Sequence, residues 1–340
     1  MNRPFWILLL PFLLAQCATY KAKKYDFPNP VDTESRPVEY QEKRLFSLPQ
    51  LGLYADNQFD GARLNAFEQI NDSLVRATIL PENTPINPSP YYAFKIWSDT
   101  LREIILELHY PESRHRYYPK LSTDRENWIR IDSADFQLTA DSVHALLQLK
   151  VTPDTLWVAA QELNTSQDVK AWSIKQAIHP DVSLEVIGQS KLGKSLMKLE
   201  IGRGDPRKKE AILIISRQHP PEVTGYLAMQ AFVEAILEET PIANAFRKKF
   251  RILVFPLMNP DGVDLGHWRH NTGGVDLNRD WAYYHQAEVE QVANHMVETL
   301  AKNKNTAILG LDFHSTYNDV FYTMTDSVPA HIKGFKDYWL

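Results

Sequence analysis

Cysteine is almost missing: one stands in 340 residues. No disulfide can therefore form within the chain. Long apolar runs are missing too, and none reaches the ~20 residues that a spanning helix needs. Glycine is scarce, at 13, and neither a three-residue period nor a sustained heptad is present, which excludes collagen and coiled coil. Neither sign of charge dominates, because 37 basic and 42 acidic side chains leave −5. That balance is spread along the chain and gives no electrostatic reason to expect nucleic acid. Apolar content is not low either, at 44% against 23% charged, so the bulk of the chain is not disordered. What remains is a globular protein long enough for a large core and about two domains.

The cysteine is Cys17, and its setting matters more than its number. Residues 1–17 (MNRPFWILLLPFLLAQC) join a positive Arg3 to an apolar stretch at 5–14, interrupted by Pro11. This is too short to span a membrane and fits a secretory h-region. Leu14-Ala15-Gln16-Cys17 resembles a bacterial lipobox, with Gln16 where Gly, Ala or Ser is usual. The resemblance implies an exported lipoprotein, attached to its membrane only through lipid on Cys17. Cleavage near Ala18 would instead leave a soluble periplasmic or extracellular protein, and no cleavage an N-terminal anchor. Residues 18–45 are rich in Lys, Pro and Glu and read as a flexible tether.

From 46 to 160 the pattern is short strands between turns. Candidates are 91–97 (YYAFKIW), 102–110 (REIILELHY), 142–151 and 155–160, divided by clusters such as 81–90 (PENTPINPSP). This alternation predicts an antiparallel, all-β sandwich without a catalytic grouping. From 161 onward, strand and helix alternate. Thr165 or Ser166 can cap a helix ending near Ala177. Strands are expected at 183–190, 196–201 and 211–216; the last, AILIIS, is almost continuously apolar, as a strand buried on both faces should be. A helix from Pro221 to near Glu238 carries Tyr226, Met229, Phe232, Val233 and Ile236 at helical spacing. Further strands are expected at 251–256 and 307–312, and a helix at 288–303. The class is therefore an α/β domain at 161–340, a mixed sheet flanked by helices, preceded by a β-sandwich at 46–160.

His219-Pro-Pro-Glu222 follows one buried strand directly and opens a helix. Side chains three apart at a helix start face one way, and two prolines stiffen the turn at no hydrogen-bond cost. A metal needs such rigid donors, although an isolated HxxE is more often a pair of surface residues. His314 follows the strand ILGLDF, at a carboxyl end where α/β proteins hold their ligands. Alone it would be a structural histidine; with His219 and Glu222 it completes His2Glu, the open set of catalytic zinc sites. Between them lies 259–281 (NPDGVDLGHWRHNTGGVDLNRDW), a polar, turn-rich loop. Its Arg269 and Arg279 suit carboxylate recognition and a developing oxyanion, and Asp276 could orient a ligand imidazole.

In this order the strand–HPPE–helix, NPDG, Arg269, the VDLNRD run and the DFHS strand end resemble the zinc carboxypeptidases of the carboxypeptidase A type. The resemblance covers about residues 161–324. Upstream, FDGARL, INPSPYYAFKI and YYPKLSTDRENW resemble, more loosely, the N-terminal domain of the cytosolic carboxypeptidase branch. The resemblance implies one zinc ion held by His219, Glu222 and His314. It implies that Asn278 and Arg279 hold the terminal carboxylate of a peptide or protein, that Arg269 polarises the scissile carbonyl, and that Asp276 orients His219. His267 and His270 have no family role and read as loop residues.

One part of the pattern is missing. The family's general base is a glutamate several dozen residues after the third ligand, and its closing tyrosine comes from the same later stretch. Residues 315–340 contain no glutamate, and Asp319, Asp326 and Asp337 are off the pattern. The expectation is a catalytic domain that continues beyond residue 340, with a base-less, zinc-binding relative as the competing reading. An N-acyl amino acid deacylase of the aspartoacylase type uses similar ligands. A non-catalytic surface protein that holds peptide ends is the alternative from another class. NPDG and the HPPE spelling favour the peptidase.

Overall fold

The computed structural model describes residues 20–207 and 209–315. Cys17 and the rest of the 1–17 leader lie outside the described residues, as do residues 316–340. Among the described residues the strands β1 (Leu45–Leu48), β2 (Leu53–Asp56), β3 (Ala66–Gln69), β4 (Leu74–Thr78), β5 (Ala93–Ser98), β6 (Arg102–His109), β7 (Lys120–Ser122), β8 (Ile129–Arg130), β9 (Phe136–Leu138), β10 (His144–Val151) and β11 (Leu156–Ala159) come first. They form two sheets, ordered β1-β2-β5-β11-β7-β8 and β3-β4-β6-β10-β9.

Period-two patterning packs these sheets together. In β10, Ala145, Leu147, Leu149 and Val151 are buried while Gln148 and Lys150 are exposed. Leu106 of β6 stands opposite Leu147. Leu53, Phe94, Ile96 and Val158 close the core from the other sheet. Each such side chain, fully buried, contributes about 1.5–3 kcal/mol. The all-antiparallel expectation needs correction in one place, since β4 runs parallel to β6, with Val75 opposite Leu106. The cause is topological: β5, which lies between them in sequence, belongs to the other sheet, so the chain returns in the same direction.

The second half begins with α1 (Ser166–Gln176), β12 (Val182–Gln189), β13 (Ser195–Ile201), β14 (Glu210–Ser216) and α2 (Val223–Leu237). It continues through α3 (Pro241–Lys249), β15 (Phe250–Phe255), α4 (Pro260–Asp264), α5 (Ala287–Asn303) and β16 (Thr306–Phe313). Thr165 caps α1 in a reciprocal box with Asp168. The sheet order is β12-β13-β15-β14-β16, with β14 parallel to both its neighbours and the other pairs antiparallel. Its two faces make separate cores. Ile212, Ile214, Ile252 and Val254 meet Tyr226, Met229 and Val233 of α2. Leu213, Ile215, Leu253 and Phe255 meet Val289, Val292 and Met296 of α5. No helix of the described residues is long and apolar enough to cross a membrane.

Of residues 18–45, expected as a flexible tether, the described 20–44 are instead a strap, bonded to the second half at Ala22, Tyr25, Thr33 and Arg36 and to the first half at Glu39, Lys43 and Arg44. The Ala22 N–H donates to Asn294 Oδ1 (2.9 Å), the Tyr25 N–H to the Ala282 carbonyl (3.0 Å) and the Arg36 N–H to the Gly273 carbonyl (2.7 Å). Thr33 is fully buried; its hydroxyl donates to Asp280 Oδ1 (2.6 Å), and its carbonyl accepts from Gln286 Nε2 (2.8 Å). A segment poor in apolar residues is held here by its main chain, a bond type that composition does not report.

Candidate metal centre

β14, β15 and β16 are parallel, so their carboxyl ends share one edge of the sheet. From β14 the chain passes through Arg217 and Gln218 to His219, and β16 leads directly into His314. From β15 it enters the long loop that begins at Asn259. Topology alone therefore gathers three separated segments.

His219-Pro-Pro-Glu222 is a turn rather than the first turn of the helix, because α2 starts at Val223. The Glu222 N–H donates to the His219 carbonyl (3.2 Å), closing that turn. Behind it the buried Arg217 guanidinium donates to the carbonyls of Pro220 (2.8 Å) and Asn164 (3.3 Å). Gly225 admits the third segment. A Cβ at this position would lie 2.5 Å from the His314 carbonyl oxygen, and the Gly225 N–H donates to Ser315 Oγ (2.9 Å).

The three side chains converge. His219 Nδ1 is 3.0 Å from Glu222 Oε1, and His314 Nδ1 is 2.6 Å from Glu222 Oε2. One donor atom from each of the three lies within 4.8 Å of the others. Both opposite ring nitrogens are held by carboxylates: His219 Nε2 is 2.8 Å from Asp276 Oδ1, and His314 Nε2 is 2.7 Å from Asp312 Oδ2. Asp312 also accepts from Gln218 Nε2 (2.7 Å). His219 and Glu222 are buried, His314 partly so. Burial alone would raise the Glu222 carboxyl; hydrogen bonds and charge from the two histidines bring it well below its ordinary range. Burial alone would lower His314, yet Asp312 and Glu222 raise it to about 10.

This donor set fits zinc. Each imidazole offers Nδ1 inward while a carboxylate holds Nε2, the arrangement that fixes ring orientation and raises the basicity of a ligating histidine. Carboxylates on several sides make the position attractive to a cation. Two histidines and one glutamate match the ligand count of an open catalytic zinc site.

The arginines differ. Arg269 is 9% exposed, and its Nε donates to Asp276 Oδ2 (2.7 Å), so one carboxylate joins it to His219. Its Nη groups have no hydrogen-bond partner among the described residues, which leaves them available to a ligand. Arg279 is exposed and, among the described residues, its side chain reaches only the Asn278 carbonyl (3.4 Å). Asn278 bridges the two sides, with its N–H on Asp276 Oδ1 (2.9 Å) and its Nδ2 at 3.3 Å from His314 Nε2. His267 and His270 are buried braces of the same loop, His267 Nδ1 lying 2.9 Å from the His270 carbonyl. Sequence reasoning missed Asp312, Gln218 and Glu82. For Asp312 a signal existed: residues two apart on a strand share a face, which points it at His314.

Glu82, from the turn cluster after β4, is fully buried beside this loop. Burial alone would raise its carboxyl. His267, Arg63 and the N–H groups of His270 and Trp268 overcome that and lower it.

Comparison with known proteins agrees with this geometry. The family model described as zinc carboxypeptidase matches residues 170–328, so this part of the chain is similar to a zinc carboxypeptidase domain. An uncharacterized protein of Zymomonas mobilis subsp. mobilis is 28% identical over 254 residues, 71% of this chain and 63% of that protein. Cytosolic carboxypeptidase 2 of Danio rerio is 31% identical over 147 residues, 41% of this chain. The chain thus spans less than two thirds of the first relative and only 20% of the second. Among solved structures, the metallo-carboxypeptidase from Burkholderia cenocepacia superposes with a TM-score of 0.66 at 19% identity, over 78% of this chain and 71% of that one, which establishes a shared fold.

Proposed function

We propose that the whole protein is a zinc carboxypeptidase, with one ion at His219, Glu222 and His314, and that it removes residues from the C-termini of peptides or proteins. The carrying observation is the convergence of both histidine Nδ1 atoms on Glu222 while Asp276 and Asp312 hold the opposite nitrogens. When bound, zinc supplies a Lewis acid and lowers the pKa of water. In this reading the Arg269 Nη groups meet the oxygen on which negative charge develops, and Asp276 keeps that guanidinium aligned with His219. Arg279, with Asn278, takes the free α-carboxylate, for which an arginine fork is suited. The general base belongs to a part of the protein beyond the described residues.

Zinc analysis together with release of single amino acids from peptides tests this. The expected result is one zinc per chain and turnover that a chelator stops. A zinc-loaded protein that cleaves N-acyl amino acids but no peptide would favour the deacylase reading. No turnover of either substrate would favour the binding protein. We further propose export and attachment through lipidated Cys17. A Cys17→Ser protein that stays in the membrane fraction would overturn the attachment.

A further inference from the structure

Arg269 belongs to the second half of the chain, but its backbone is gripped by the first. The Glu82 carboxylate accepts three successive N–H groups: Trp268 on Oε2 (2.7 Å), and Arg269 (3.0 Å) and His270 (2.6 Å) on Oε1. Asn83 continues the grip, with Oδ1 2.6 Å from His270 Nδ1 and Nδ2 donating to the Gly274 carbonyl (3.1 Å). Trp268 is fully buried and packs in the core of the two β-sheets, not in either core of the α/β half. Just before it, Gly266 takes φ +65° where a Cβ would collide with the Ala62 carbonyl. The loop thus lies close on the sandwich. A buried carboxylate is costly unless its oxygens are satisfied, and a run of backbone N–H groups is one of the arrangements that satisfies an anion.

We propose that Glu82 is a positioning residue for Arg269, so that the β-sandwich sets the aim of the group that would polarise the scissile carbonyl. This inference rests on the role given to Arg269 under the proposed function. Arg269 is held at two points. Glu82 fixes its main chain, and Asp276 takes its Nε at 2.7 Å. Asp276 in turn touches His219, so an unbroken run of hydrogen bonds leads from the sandwich to the metal cluster. The main chain of the cluster does not depend on that run for its place, since His219 and Glu222 lie in the turn between β14 and α2 and His314 directly follows β16. Loosening Glu82 should therefore disturb the arginine and spare the metal. A positioning error of this kind falls on the chemical step more than on substrate binding.

The test compares wild-type protein with Glu82→Gln and Glu82→Ala, each also made in an Arg269→Ala background. Glutamine keeps one oxygen for the grip and places an amide NH2 where the other stood. It is the variant to rely on if alanine prevents folding. We expect kcat to fall about 10-fold for Glu82→Gln and about 100-fold for Glu82→Ala, with KM within about twofold and zinc content unchanged. In the Arg269→Ala background Glu82→Gln should cost less than about twofold, because coupled residues are not additive. Amide hydrogen exchange at residues 268–270 should quicken in Glu82→Gln, a readout that needs no turnover. An equal loss in both backgrounds, or unchanged exchange, overturns the proposal. A zinc-loaded wild type that releases no amino acid would fail the carboxypeptidase reading while leaving the grip to be decided by exchange.

Discussion

The two β-sheets of the first half share one apolar core, whereas the single sheet of the second half divides its apolar residues between two faces. The more telling difference is at the strand ends. In the sandwich β1, β3, β7 and β9 turn back onto an antiparallel neighbour, and the other connections cross to the facing sheet. In the α/β half three parallel strands stop on one edge, and beyond that edge lie the buried polar residues Gln218, His219, Glu222, Asn259, Asp261 and His270. Antiparallel pairing turns strand ends around; parallel pairing gathers them. Chemistry collects where strand ends are gathered, and the sandwich enters it only where the two halves touch.

The contrast can be broken at its strongest point by removing the metal. Chelation, or His314→Ala, should abolish amino-acid release while circular dichroism retains the β signal; loss of both together would mean that the halves do not divide the work. Next in size, Leu106→Ala in the sandwich core should cost about 2–5 kcal/mol in denaturant unfolding. Its zinc content should stay at one ion, and a loss of zinc at equal folded fraction would blur the contrast. Arg279→Ala should raise KM about 10- to 100-fold for peptides with a free C-terminus, as expected for lost charge-assisted hydrogen bonds. Equal activity of wild type and Arg279→Ala on free-carboxylate peptides would end the anchoring role. Smallest, Thr33→Ala should lower stability by about 1–3 kcal/mol through the lost hydrogen bond to the Asp280 carboxylate, whose Oδ1 keeps the His285 N–H (3.0 Å), with kcat unchanged. A kcat loss there would draw the strap into the site.

Legibility followed distance along the chain. His219 and Glu222 are three residues apart, and His314 ends an apolar strand, so local pattern is enough to nominate them. The strands and α1 were legible for the same reason: alternation, continuous apolarity and a Thr165 cap are read within a few residues. Helix α3 escaped because it has almost no apolar stripe. Ile242 is exposed, and its buried anchor is Arg247, which donates to Asp181 Oδ2 (2.7 Å) and the Ile236 carbonyl (2.6 Å). Glu82 escaped because it meets the Trp268 N–H 186 residues away. In sequence it is one acidic residue in a proline-rich turn. Buried ion and hydrogen-bond partners have no period, so no window on the sequence reveals them.

The strap also has a consequence in time. Ala22 is held by Asn294, 272 residues further on. At a synthesis rate of about 5–20 residues per second, the strap leaves the ribosome roughly 15–55 s before its partner exists. Local hairpins of the sandwich can close in microseconds. A segment made early is thus among the last to dock, and Thr33 can reach Asp280 only after β12, β13, β14 and β15 have been synthesised.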